Sequence, residues 1–268
     1  MLSIFCDTDN WSPVLEQIIK ENPELNQLNV HISINCLSHN KSQDSNILIL
    51  QESPAILDSR NILSFVENQE ECKAIYNKVY SCIKRLQYYD YVEYCHPAQI
   101  SWINTPIFLP TKTKLISMIS SSNALVEGHK LRLKILNEVK SFVDVYGRKI
   151  NPIEKKEYGL TDYFYSIAIE NDNTNNYFSE KLIDCFMTCT VPVYWGCKYA
   201  YTIFNPKGMI DITSYNDLND LSKLDKSFYY DNIDAVVENY FIAQKENRYL
   251  NHTLKTILCK IYNDKYNR

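Results

Sequence analysis

The 268-residue chain contains no run approaching the roughly 20 apolar residues of a membrane span, so no transmembrane segment is expected. Met1–Cys6 is too short for the apolar part of a signal peptide and runs straight into Asp7 and Asp9, so a soluble, cytoplasmic protein is expected. There is no basic excess. The 28 Lys+Arg against 32 Asp+Glu leave a net charge of −4, which excludes a general nucleic-acid binder. The nine cysteines form no Cys-x-x-Cys pair and are odd in number, which favours buried reduced thiols over a zinc site or a disulfide framework. The five histidines lack metal-ligand spacing, and no serine sits in a Gly-x-Ser-x-Gly elbow. Metallohydrolase and serine hydrolase are therefore set aside. Internal repeats and low-complexity tracts are also missing. What is present, 45% hydrophobic and 22% charged residues, is globular composition.

Strand-like and helix-like segments alternate along the first hundred residues. Met1–Cys6 and Leu28–Ile34 are apolar and partly β-branched, with the amphipathic run Val14–Lys20 between them, entered through Ser12-Pro13. Asn46–Leu50 reads as a strand buried on both faces of a parallel sheet. Lys73–Leu86 shows helical spacing, with Ile75, Val79, Cys82, Ile83 and Leu86 on one face. Pro106 and Pro110 punctuate the stretch that separates a domain of residues 1–108 from one of 109–268. In the second half strands are expected at Lys114–Ile119, Ser141–Tyr146, Tyr163–Ile169, Val191–Tyr194 and Met209–Ile212. Helices are expected at His129–Val139, Ser179–Cys189 and Tyr215–Leu224, and from Asp231 to the end. Two Rossmann-like α/β domains with a cleft between them and a helical C-terminus follow, with ligands at the carboxyl ends of strands.

Ile169–Gly196 carries the most chemistry. An Asn-rich loop opens a helix at Ser179, with Glu180 and Lys181 in its first turn. Free backbone N–H groups at a helix start suit phosphate. A lysine there opposes the helix dipole, a local penalty that makes sense if the ammonium meets a diphosphate, with Glu180 accepting from ribose hydroxyls. The same residues also fit a capped helix whose lysine points into water. Upstream, Gly128, His129 and Lys130 lead to Arg132, whose fork of donors fits phosphate oxygens, although a basic helix can equally be a solvated face. Two strand–loop–helix junctions, each with a cation, describe a nucleotide-diphosphate pocket.

Tyr177-Phe-Ser-Glu-Lys-Leu-Ile-Asp184, Thr190-Val-Pro-Val-Tyr-Trp-Gly196 and Phe204-Asn-Pro206 closely resemble the donor-binding signature of glycosyltransferase family 10, the α-1,3/4-fucosyltransferases. The similarity continues through Lys112–Ser122, Gly128-His-Lys-Leu-Arg132 and Val143-Asp-Val-Tyr-Gly147, and so covers roughly the C-terminal half. The chain looks like a short viral or bacterial type of member. The resemblance implies the GT-B architecture, with a GDP-sugar donor on the C-terminal domain and a glycan acceptor mainly on the N-terminal one. It implies that Arg132 and Lys181 pair with the diphosphate, that Glu180 holds the ribose, and that Asn171 and Tyr177 line the pocket. No metal and no cofactor are implied, the two cations doing the charge neutralisation.

In the first half, Gln51-Glu-Ser-Pro54 follows the buried-looking strand and resembles the family's Glu-Ser-Pro, which implies that Glu52 is the base of an inverting transfer. Read from the residues alone, Glu52 also fits a solvated turn before Pro54. The N-terminal domain looks trimmed where acceptor recognition would lie, so the acceptor and the oligomeric state are left open. Decoration of a surface polysaccharide is the analogy the reduced size suggests. The expected function is transfer of fucose from GDP-fucose to a glycan hydroxyl. The alternatives are a non-catalytic or degenerate GDP-sugar-binding protein, and a metal-dependent transferase using Asp7 and Asp9.

Overall fold

The computed structural model describes residues 2–6, 12–95, 101–103 and 105–266. Asp7 and Asp9 lie outside the described residues. The chain divides into two compact units, Met1–Ala98 with Arg248–Arg268, and Gln99–Asn247. This differs in both places from a division at 108/109 that gives the whole C-terminus to the second half.

The first unit is built on β1 (Ser3–Cys6), β2 (Val30–Ile34), β3 (Ser45–Leu50), β4 (Lys78–Ser81) and β5 (Val92–Tyr94), all parallel and in the order β1-β2-β3-β4-β5. Its helices are α1 (Ser12–Glu21), α2 (Pro54–Ser59), α3 (Ile62–Glu67) and α4 (Gln69–Ile75). Leu48 and Leu50 of β3, Val79 of β4 and Val92 of β5 point into one core with Leu57, Leu63 and Val66 of the helices. Alternate residues face the other way. There Glu93 of β5 pairs with Lys78 at 2.9 Å and with Lys260 at 2.9 Å, and Tyr266 Oη donates to the Gln27 carbonyl at 3.1 Å. The C-terminal residues thus pack on the sheet face opposite that core, the physical reason they belong to the first unit.

The segment Lys73–Leu86 is not one helix. It is the end of α4, then β4, then a 3-10 turn over Lys84–Tyr88. Val79, Cys82, Ile83 and Leu86 are buried as their spacing requires, but in a core reached by a strand and a turn. Pairing of Val79 with both Leu48 and Val92 decides the matter over local periodicity.

In the second unit, β6 (Lys114–Ile119) is followed by α5 (Glu127–Val139), β7 (Asp144–Tyr146), β8 (Tyr163–Ile169), α6 (Glu180–Met187), β9 (Val191–Trp195), α7 (Ala200–Ile203), β10 (Ile210–Asp211) and α8 (Ser227–Asp231). The helix α9 (Ile233–Tyr266) follows. The parallel order is β10-β9-β8-β6-β7. Every residue of β8 is buried, as suits a central strand covered on both faces. The expected helix Tyr215–Leu224 is only a 3-10 turn at Leu218–Lys223, and the expected strand Met209–Ile212 shortens to β10. From β6 the chain steps outward to β7, then returns past β6 to β8. The carboxyl ends of β6 and β8 therefore flank a topological switch point, where open α/β sheets form a crevice. Among the described residues no helix is long and apolar enough to cross a membrane.

Candidate functional site

The switch point is where Arg132, Asn171, Glu180 and Lys181 gather. Glu170 and Asn171 follow β8 directly, and Ser120 and Ser121 follow β6. The start of α5 is pressed against the end of β8. The Gly128 N–H donates to the Asn171 carbonyl at 3.3 Å, and a Cβ at Gly128 would stand 2.0 Å from the Glu170 carbonyl oxygen. That approach brings Arg132, one turn later, across the crevice. Its Nη2 donates to the Ile169 carbonyl at 2.9 Å and to Asn171 Oδ1 at 3.0 Å, and its Nη1 donates to Ser121 Oγ at 3.3 Å. Arg132 is only 5% exposed, so the guanidinium spans both strand ends from a buried position. His129 Nε2 lies 3.1 Å from the same Asn171 oxygen.

The start of α6 supplies the second cation. Ser179 caps this helix, its Oγ accepting from the Lys181 N–H. The Ser179 N–H and Oγ–H in turn donate to the two oxygens of Glu170 at 2.9 and 2.6 Å. Lys181 Nζ lies 3.0 Å from Ser179 Oγ, 3.3 Å from Glu180 Oε1 and 3.6 Å from Glu170 Oε2. Burial pushes the Glu180 carboxyl up, but Lys181 and Lys156 outweigh it and hold the group down at about 2. Burial also pushes Glu170 up, against Lys181 and the two bonds from Ser179. Lys156 approaches Asp184 Oδ2 at 2.6 Å and Glu180 Oε1 at 3.8 Å, and sits 4.9 Å over the Trp102 ring. Ser101 Oγ and the Trp102 N–H donate to Asp184 Oδ1 at 2.5 and 3.0 Å. The site is a mesh of alternating charges with its carboxylates and cations in fixed places.

Arg132 and Asn171 are thus in direct contact, as are Glu180 and Lys181. Tyr177 is 1% exposed, its ring among the core rather than on an open surface. Sequence reading gave no role to Glu170, Lys156 or Asp184. The signal for Glu170 was its position: a carboxylate directly after a fully buried strand has to find donors.

Glu52 belongs to the first unit. It follows β3 and precedes Ser53, whose Oγ accepts from the Ile56 N–H and caps α2 with Pro54 at its first position. Glu52 Oε1 accepts from the Ser53 N–H at 2.7 Å, and the Glu52 N–H donates to Asn35 Oδ1 at 2.9 Å.

A family model described as the C-terminal part of glycosyltransferase family 10 (fucosyltransferase) matches residues 109–264. The chain belongs to glycosyltransferase family 10. The matched span contains Arg132, Asn171, Tyr177, Glu180 and Lys181. The α-(1,3)-fucosyltransferase FucT of Helicobacter pylori is 26% identical over an alignment of 137 residues that covers 42% of this family 10 chain and 29% of that protein. The alignment therefore spans less than a third of the relative's own length. Among solved structures, an α1,3-fucosyltransferase with GDP-fucose and the same protein class with GDP each superpose with a TM-score of 0.55 at 16% identity, covering 96% of this chain and 89% of theirs. The likeness is one of fold: α/β, GT-B-type, two parallel sheets with helices and a helical C-terminus, as expected.

Proposed function

We propose that the chain is a fucosyltransferase that moves fucose from GDP-fucose to a hydroxyl of a glycan acceptor. The observation that carries this reading is the pair of cations, Arg132 one turn into α5 and Lys181 in the first turn of α6, at the switch point of a family 10 domain. In it the second unit binds the donor and the first serves the acceptor. Arg132 and Lys181 take the diphosphate, Glu180 the ribose, and Asn171 and Tyr177 the remaining walls of the pocket. The two positive charges and the helix N-termini stabilise the charge that grows on departing GDP, and no metal is needed for that task.

Transfer proceeds with inversion. Glu52 removes the acceptor proton as the hydroxyl oxygen attacks the anomeric carbon, the bond to the diphosphate breaks, and the transition state has oxocarbenium character. Support for Glu52 is its place at the carboxyl end of β3 with a backbone fixed by Asn35 and a capped helix.

Thermal stabilisation by a panel of nucleotides and nucleotide sugars, with and without chelator, tests the donor. A ligand at a hundredfold excess over its dissociation constant adds about 2.7 kcal/mol. The expected result is a selective response to GDP and GDP-fucose that chelator leaves unchanged. A response to UDP-sugars that chelator abolishes would overturn it in favour of Asp7 and Asp9. Glu52→Ala is expected to stop transfer while GDP binding persists. If the wild type binds GDP-fucose but neither transfers nor hydrolyses any donor, the chain is a binding protein.

A further inference from the structure

His129 is a buried titratable group that the proposed reaction leaves unused. It is the third residue of α5 and 5% exposed. The Asn171 atom beside its Nε2 also receives Arg132 at 3.0 Å. A guanidinium only donates, so Asn171 presents its oxygen here, and His129 Nε2 must carry a proton to meet that oxygen. The neutral ring is therefore the Nε2–H tautomer, with a bare lone pair on Nδ1. Nδ1 is closed to solvent and has no hydrogen-bond partner among the described residues. A buried polar atom left in this state calls for a reason.

The charged groups around the ring supply one. Arg132 lies one turn along the same helix, and Lys181 acts on the ring from α6. Burial first, then these two cations, hold the imidazole to its neutral form against the hydrogen bond that Nε2–H donates to Asn171. The nearby carboxylates are engaged elsewhere: Glu170 with Ser179 and Lys181, Glu180 with Lys181 and Lys156. Glu127 stands in the first turn of α5 itself.

We infer that His129 is a third cation of the donor site: a nucleoside diphosphate sugar that enters the crevice opens the ring edge, and Nδ1 takes up a proton from solvent. Nδ1–H then donates to a phosphate oxygen while Nε2–H keeps Asn171. Two negative charges placed on Arg132 and Lys181 cancel the repulsion that keeps the ring neutral, and they bring the acceptor that Nδ1–H needs. No bond of the donor breaks in this step. When the glycosidic bond later cleaves, the imidazolium faces the growing charge, and the proton returns to solvent as GDP leaves. The inference rests on the reading of this cluster as a diphosphate site.

GDP-fucose is the right probe, because its diphosphate is esterified at both ends, whereas the terminal phosphate of GDP itself titrates near pH 6. Calorimetry at pH 7.5 in buffers of different ionisation enthalpy is expected to show uptake of about one proton, and Kd is expected to weaken about tenfold per pH unit above neutrality. His129→Gln is expected to bind without proton uptake and with a flat pH profile. Nitrogen-15 spectra of the wild-type imidazoles need no variant: one ring should pass from the neutral Nε2–H form to the doubly protonated form on addition of GDP-fucose. Binding without proton uptake, or with no imidazole changing its protonation state, overturns the inference and leaves the functional reading standing. Failure of the wild type to bind GDP-fucose at all removes both.

Discussion

Asn35 receives the backbone N–H of Glu52 on its side-chain oxygen at 2.9 Å, and that of Gln51 on the same atom at 2.7 Å. Asn35 itself is left-handed, with φ at 56°, at the end of β2, and its own N–H continues the ladder to the Ile49 carbonyl at 2.9 Å. Asparagine tolerates that conformation and supplies the acceptor together, which few residues can. One side chain thus fixes the backbone that presents the proposed base.

The two properties separate by mutation. Asn35→Gly keeps the left-handed backbone and removes the acceptor, whereas Asn35→Asp keeps both. With Glu52 as the base, Asn35→Gly is expected to lower kcat by roughly 10- to 100-fold with donor affinity unchanged, since small misplacements of a reacting group carry such penalties. Asn35→Asp should retain most activity. A double-mutant cycle with Glu52→Asp, which keeps a displaced carboxylate, checks the route: the effects of Asn35→Gly and Glu52→Asp on kcat should be less than additive. A full additive loss would mean that Asn35 acts on something other than Glu52.

Gly128 shows how closely α5 meets β8. An added Cβ would stand 2.0 Å from the Glu170 carbonyl oxygen and 2.7 Å from backbone atoms of Asn171, so no rotamer change relieves it. Gly128→Ala must push the helix start away and carry Arg132 and His129 with it. A loss of about 1–3 kcal/mol, or more, is expected. Urea unfolding measures it, and stabilisation by GDP-fucose should shrink in the same variant. Wild-type values for both would show that the helix start has room.

Much of this was legible in the chain. Tyr163–Ile169 is apolar but for Ser166 and is β8 residue for residue; Ser179 announced the start of α6 through capping chemistry. Lys181 was readable because a cation in a helix's first turn opposes the dipole; Glu180 beside it, and Arg132 after a second strand–loop–helix junction, were read with it. The failures have a common cause. Val79 and Leu86 fit a helical stripe, yet the neighbours that claim Val79 lie at Leu48 and Val92, and no local window contains that information. The placement of residues 248–268 in the first unit is likewise a long-range fact, set by Glu93 and Gln27. Lys156 and Asp184 received no role from the sequence, because only the fold brings them together, at 2.6 Å.

That burial makes Lys156 a test of its own. Asp184 is fully buried, paired with Lys156 at 2.6 Å and bonded by Ser101 and Trp102. Removing one partner of such a pair strands the other charge, at a cost of about 3–5 kcal/mol. Lys156→Met should lose stability on that scale, and Asp184→Asn added to it should restore part. Glu180 would keep Lys181 but lose its second cation, so its carboxyl should titrate higher than in the wild type. Equal stability of Lys156→Met and the wild type would mean that the Lys156–Asp184 pair contributes nothing.

Lys112 predicts how stability follows pH. Its Nζ donates to the Thr188 carbonyl and to Thr190 Oγ1, both at 2.8 Å, in a buried position. Burial pushes this ammonium down to about 7, against the pull of Cys189, Cys185 and Asp162. In the unfolded chain the same group titrates near 10.4, so between those values the unfolded state holds more protons and stability rises with pH. The slope is at most about 1.4 kcal/mol per pH unit from this one residue. Buried thiols work the other way, because burial pushes Cys72 up to about 11 and Cys185 up to about 12 while their unfolded forms ionise near 8.5. The rise should therefore show between about pH 7 and 8.5 and then reverse. Urea unfolding across that range is the measurement, and Lys112→Met should flatten the rise whatever it does to absolute stability. An unchanged slope in Lys112→Met would mean that Lys112 keeps its charge in the folded protein, held by the Thr188 carbonyl at the end of α6.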